Sequence, residues 1–115
     1  IMLPASEIAR EQPFNVAKYA DTAVPELIRA MKELGAETGR LVAKMAGGAQ
    51  MFAFVASEAM RIGPRNAEAV KKMLDMYRIP LVAEDTGENF GRTIELECAT
   101  GVLVVRSVQQ GVKRI

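Results

Sequence analysis

Two stretches of the chain repeat apolar residues at intervals of three and four, a spacing that predicts amphipathic helices. We expect the first helix over residues 22–34, with Asp21 as its N-cap, Pro25 in its first turn and Gly35 at its end. The second helix is expected over residues 64–77. The apolar faces comprise Val24, Leu27, Ile28, Met31 and Leu34 in the first helix, and Val70, Met73, Leu74 and Tyr77 in the second.

Shorter apolar or alternating runs predict strands between and after these helices. Residues 40–45 and 79–83 are expected to be strands, and residues 92–98 and 102–108 alternate around a turn at 99–101, which predicts a hairpin. The remaining segments are interpreted as a strand end at 1–3, a surface loop at 5–17, a helix or buried loop at 51–60, and a fraying tail at 109–115.

Cys98 is the single cysteine of the chain, and its position in the first hairpin strand predicts its environment. It alternates in phase with Ile94 and Leu96, so we expect it to lie on the apolar, inward face. A reactive thiol needs an open, electropositive setting. We therefore predict that Cys98 is buried and inert.

Length, charge and composition narrow the function classes. A chain of 115 residues, half of them apolar and a quarter charged, corresponds to one globular domain over residues 1–115. A net charge of +1 gives no reason to expect nucleic acid or an anionic membrane surface as a partner. No run reaches the about 18 uninterrupted apolar residues of a membrane span. With no histidine and one cysteine, zinc, copper and histidine-dependent catalytic sites cannot be built from these residues alone.

Three loops place polar or flexible residues beside predicted core elements and are candidates for a substrate-binding site. Because each loop follows or precedes such an element, we expect the three to converge on one side of the sheet. Alternatively, each is an ordinary turn. A hard-cation site on Glu84, Asp85 and Glu88 is conceivable, but we expect solvated acids, no metal and no cofactor. The candidate residues are Gly47, Gly48, Arg65, Asn66, Asp85 and Thr86.

These loops also carry a family resemblance. The matching runs are Lys18-Tyr19-Ala20-Asp21-Thr22-Ala23, Ala43-Lys44-Met45-Ala46-Gly47-Gly48-Ala49-Gln50-Met51-Phe52, Ile62-Gly63-Pro64-Arg65-Asn66, Ala83-Glu84-Asp85-Thr86-Gly87 and the Thr100-Gly101 turn. In order and spacing they resemble the CheD family, the glutamine deamidases of chemotaxis receptors. The resemblance implies an α+β fold: a mixed, largely antiparallel β-sheet with two main helices packed on it, as in a CheD-like cysteine hydrolase.

The resemblance also implies a mechanism, in which a cysteine thiolate attacks the side-chain amide of a receptor glutamine and a histidine acts as general base. In the family both residues would precede Ile1, so we expect this chain to be an inactive fragment that begins after its catalytic pair. Cys98 does not match the nucleophile. Glu88 stands where the family usually has a second glycine after Gly87, and residues 53–60 are longer than usual.

Two other readings remain open. A chain without the catalytic pair could be a binding module that docks onto a CheC-type phosphatase or onto the cytoplasmic domain of a chemoreceptor. Phe52, beside the glycine pair, is then either an exposed docking anchor or a core residue. The third reading is an unrelated α+β domain. Both CheD-like readings imply a cytoplasmic protein.

Overall fold

The computed structural model describes residues 1–51 and 61–115. Single 3-10 turns occur at Ser6–Ile8 and Thr38–Arg40. The helices and strands are α1 (Ala20–Glu33), β1 (Ala43–Gly47), α2 (Ile62–Met76), β2 (Leu81–Thr86), β3 (Thr93–Glu97), β4 (Val102–Ser107) and β5 (Gly111–Arg114). No helix among these residues is long and apolar enough to cross a membrane.

Helix α1 begins two residues earlier than the sequence predicts. Its N-cap is Tyr19, whose side chain is almost fully buried and whose carbonyl accepts the N–H groups of Thr22 and Ala23. The prediction that Asp21 caps the helix is wrong, because its carboxylate instead accepts the backbone N–H and the hydroxyl of Ser6, both at 2.9 Å. Pro25 consequently lies inside the helix and not in its first turn. The burial of Tyr19 therefore sets the helix start.

Helix α2 also begins two residues early, at Ile62, which places Gly63 and Pro64 in its first turn. A proline is tolerated there because the first N–H groups of a helix have no partner within the helix. The helix packs against α1 and against both β1 and β2. Leu74 is its buried anchor, and Ile79 continues this buried surface just beyond the helix end.

The α+β class is confirmed, but the five strands within residues 1–51 and 61–115 form two sheets. Strands β1 and β2 are parallel, with Ala46 opposite Asp85 and Gly47 opposite Thr86. Strands β3, β4 and β5 form an antiparallel sheet in that order, and β4, its central strand, carries the buried residues Leu103, Val104 and Val105. The Lys44 ammonium joins the two sheets by donating to the carbonyls of Gly101 (2.6 Å) and Ile115 (2.9 Å).

The prediction that the tail frays is wrong. Residues Gly111–Arg114 form β5, and Ile115 exchanges two backbone hydrogen bonds of 2.9 Å with Leu103. Arg114 also holds the Glu97 carboxylate with a two-pronged ion pair, at 2.9 and 3.0 Å. The tail is ordered because the hairpin offers it a strand edge, which no local pattern in residues 109–115 reveals.

The prediction that Cys98 is buried is also wrong, since its side chain is exposed. Strand β3 ends at Glu97, so the alternation stops one residue before Cys98, which lies in the turn. The apolar residues with which it alternates are not covered either, because Ile94 is 53% exposed and Leu96 is 57% exposed. The alternation correctly predicted the hairpin strand, but it could not predict whether the apolar face of that strand is covered.

Candidate functional site

The glycine pair at the end of β1 lies beside the loop that follows β2. Gly47 and Gly48 adopt φ angles of +108° and +65°, conformations that glycine reaches without steric cost. The N–H of Gly87 donates to the Gly47 carbonyl, and the N–H of Gln50 donates to the Glu88 carbonyl, both at 2.9 Å. Parallel pairing thus brings two of the predicted loops together at the carboxyl edge of β1 and β2.

The first turn of α2 closes the other side of the 47–50 segment. A Cβ atom built on Gly63 would lie 2.0 Å from the Ala49 carbonyl oxygen, and one built on Gly48 would lie 3.1 Å from the Ala67 Cβ. The segment is therefore held between the helix start and the 85–88 loop. The backbones of the three predicted loops lie together, but their side chains do not all share one surface.

Asp85 and Thr86 point to opposite faces of the parallel pair, because both lie within β2 and successive strand residues alternate. Thr86 donates its hydroxyl to Glu84 (2.8 Å), and Lys71 of α2 binds the same carboxylate. These two hydrogen bonds, that of Lys71 foremost, lower the pKa of Glu84. Asp85 points away from α2. The predicted 84–88 loop is thus partly strand, and the carboxylates of Glu84 and Asp85 lie on opposite faces of it.

Arg92 was not a candidate, yet its guanidinium contacts several groups at this edge. Its guanidinium donates to the carbonyls of Gly87 (3.0 Å) and Phe90 (3.3 Å), and it lies over the Phe90 ring at 4.5 Å. It also pairs with Asp85 at 3.3 Å, and Lys113 lies 3.8 Å from the same carboxylate. Opposite charges on either side of a glycine-containing loop are the one sequence signal that could have indicated this pair.

Asn66 contacts the beginning of the described chain. Its amide donates to the Met2 carbonyl at 3.0 Å, while its Oδ1 is buried without a hydrogen-bond partner. Its neighbour Arg65 lies in the first turns of α2. Arg65 and Asn66 therefore lie on α2 beside the 47–50 segment, and Asn66 connects this helix to residues 1–3.

Two clefts among residues 1–51 and 61–115 lie away from the candidate residues. A cleft of about 480 Å³ borders Arg92, Arg106 and Ser107, and one of about 530 Å³ lies between α1 and the end of α2, but none of the six candidates lines either cleft. Within the ranges 1–51 and 61–115, no three or more Cys, Asp or Glu residues are grouped so as to hold a metal ion. The docking candidate Phe52 lies outside these ranges. Among the described residues, the candidates therefore lie at the carboxyl edge of β1 and β2 and in the first turns of α2.

Comparison with known proteins gives a consistent result. The profile of the family described as "CheD chemotactic sensory transduction" matches residues 2–107. The "Chemoreceptor glutamine deamidase CheD" of Halalkalibacterium halodurans is 53% identical over 116 aligned residues, which cover 100% of this chain and 72% of that protein. Its counterpart in Bacillus licheniformis is 49% identical, covering 100% of this chain and 69% of the relative. This chain therefore belongs to the CheD family.

Proposed function

We propose that the protein is a chemoreceptor glutamine deamidase, which hydrolyses glutamine side chains of a chemoreceptor's cytoplasmic domain to glutamate and ammonia. The observation that carries the proposal is identity of 49% and 53% over the whole chain to two relatives that bear this name. The same substrate implies that the protein works in the cytoplasm.

The reaction needs a nucleophile and a proton carrier. A thiolate forms a bond to the amide carbon, the C–N bond breaks, and nitrogen leaves as ammonia after it receives a proton. Water then attacks the thioester, which releases glutamate and restores the thiol. These 115 residues contain no histidine. The prediction that the catalytic cysteine and histidine precede Ile1 follows from the family resemblance.

Within this scheme, the described residues bind and orient the receptor segment. The 47–50 and 85–88 segments lie side by side, joined by the backbone hydrogen bonds from Gly87 and Gln50. Their position at the carboxyl edge of β1 and β2 suits a macromolecular substrate, because the ends of strands and the loops that follow them are a common place for binding residues. We propose that this edge, with the start of α2, is the substrate-facing surface.

The test is ammonia release from a purified receptor cytoplasmic domain. We expect no activity from the 115-residue chain, and activity from a version extended at its amino terminus to carry the family's cysteine and histidine. Cys98→Ala in the extended version should leave the rate unchanged. Activity of the short chain that survives Cys98→Ala would contradict the Cys-His account, and activity lost with Cys98→Ala would make Cys98 the nucleophile.

We also propose that a CheC-type phosphatase docks onto this protein, a partner that the family resemblance implies. A titration of the two purified proteins tests this proposal, with Phe52→Glu as the variant, because a charge at a docking anchor should abolish binding. Unaltered affinity of the variant would remove Phe52 from the interface.

A further inference from the structure

The guanidinium of Arg92 is buried beside the 87–90 loop, and its side chain is only 1% exposed. A buried charge needs a partner, and Asp85, 14% exposed, supplies it at 3.3 Å. Two further hydrogen bonds of Arg92 end on backbone carbonyls, those of Gly87 and Phe90, at the two ends of one short loop. Arg92 thus fixes the separation of the loop's ends.

The loop that Arg92 spans is a demanding one. Gly87 and Glu88 both have positive φ angles, +84° and +59°. For glutamate this conformation costs roughly 1–2 kcal/mol, so it persists only where the surroundings impose it. The Arg92 hydrogen bond to the Gly87 carbonyl and the stacking of its guanidinium on Phe90 hold the loop in this conformation.

Gly87 and Glu88 are also hydrogen-bonded to the 47–50 segment. Gly87 donates to the Gly47 carbonyl and Glu88 accepts from Gln50, so displacement of the loop must displace the 47–50 segment. A continuous path of contacts therefore runs from the Arg92 guanidinium through one loop to the next. Arg92 can therefore act on the 47–50 segment from its buried position.

We propose that Arg92 is a positioning residue, which holds the 47–50 segment in its substrate-binding geometry through the 87–90 loop. This inference rests on the proposed function, because it assigns the 47–50 segment to the substrate-facing surface. The planar fork of the guanidinium is essential, since a lysine ammonium cannot reproduce hydrogen bonds to Asp85 and to loop carbonyls at once.

Two readouts in the extended protein test the proposal. The variants are Arg92→Gln and Arg92→Lys, and the matched control is Arg106→Gln, which alters an exposed arginine of β4. The first readout is amide hydrogen exchange. In both Arg92 variants, the N–H groups of Gly87 and Gln50 should exchange about tenfold faster or more, while the Leu103 N–H, which donates to Ile115, keeps its rate.

The second readout is kcat/KM for the receptor domain, corrected to the folded fraction. Relative to the unsubstituted protein, kcat/KM should fall about tenfold in Arg92→Gln and by a similar factor in Arg92→Lys, and it should be unchanged in Arg106→Gln. Uniform acceleration of all amides would show a merely structural role and overturn the proposal, as would full rescue of kcat/KM by lysine. Should Arg92→Gln not fold, Arg92→Lys is judged by the same criteria.

These outcomes separate the inference from the function on which it rests. An extended protein without deamidase activity would refute the proposed function, and the exchange rates of Gly87 and Gln50 would still decide whether Arg92 positions the loop. An active protein whose Arg92 variants keep both loop protection and kcat/KM would refute the inference alone.

Discussion

The close approach of Gly63 to the 47–50 segment predicts that a side chain at position 63 destabilises the fold. In Gly63→Ala the new Cβ would lie 2.0 Å from the Ala49 carbonyl oxygen and 2.7 Å from that of Gly48. Both neighbours are backbone atoms, so no side-chain rotation relieves the contact. Either the start of α2 or the 47–50 segment must move by about 1 Å to restore van der Waals separation.

Two effects oppose each other in this variant. Alanine is the better helix former by up to about 1 kcal/mol, and less than that in the first turn. Overpacking a tight contact costs typically about 1–3 kcal/mol, and a contact this short with backbone belongs at the upper end. We therefore expect a net loss of about 2 kcal/mol in the free energy of unfolding. At roughly 4 °C per kcal/mol, Tm should fall by about 8 °C.

Thermal unfolding followed by circular dichroism measures the shift. The matched control is Gly39→Ala, because Gly39 also lies in a helical turn, Thr38–Arg40, and a Cβ built there meets nothing within 4 Å. That variant should keep Tm or raise it slightly, through reduced freedom of the unfolded chain. A Gly63→Ala protein as stable as its parent would refute the packing of α2 against the 47–50 segment.

Three further predictions concern the surface. Glu88→Gly should raise the free energy of unfolding by up to about 1 kcal/mol, because glycine adopts the observed φ of +59° without strain; a lower Tm would contradict this reading. The Arg114 fork lowers the pKa of Glu97 from its ordinary value of 4.5, so its stabilising effect is present above that pH and is lost as the pH falls through the lowered pKa. The Tm deficit of Arg114→Met should therefore be largest near neutral pH and shrink below pH 4.5, and a deficit independent of pH would exclude the ion pair as its cause. Cys98 should react with a thiol reagent in the folded protein as readily as in the unfolded one, since it is exposed, and slow labelling would restore the original expectation of a buried thiol.

Periodicity predicted both helices, the strands before two of the candidate loops and the β3–β4 hairpin, because these elements follow from local spacing of apolar residues. It placed the helix starts late. The start of α1 depends on the burial of Tyr19, and that of α2 lies at Ile62, where Gly63 packs on Ala49. Contacts between distant residues thus shifted boundaries that local signals had set.

Some features of the candidate site also follow from the local sequence, whereas others depend on contacts between distant residues. The sequence by itself determined that three loops with glycine, amide and carboxylate groups border core elements, and five matching segments in order indicated the family. Only the tertiary structure decided that Asp85 turns away from Thr86 to pair with Arg92, because face alternation depends on where β2 begins and ends. It also decided that the tail pairs with β4 and that Cys98 is exposed. Local patterns record which face of an element is apolar, whereas the segments that cover this face lie elsewhere in the chain.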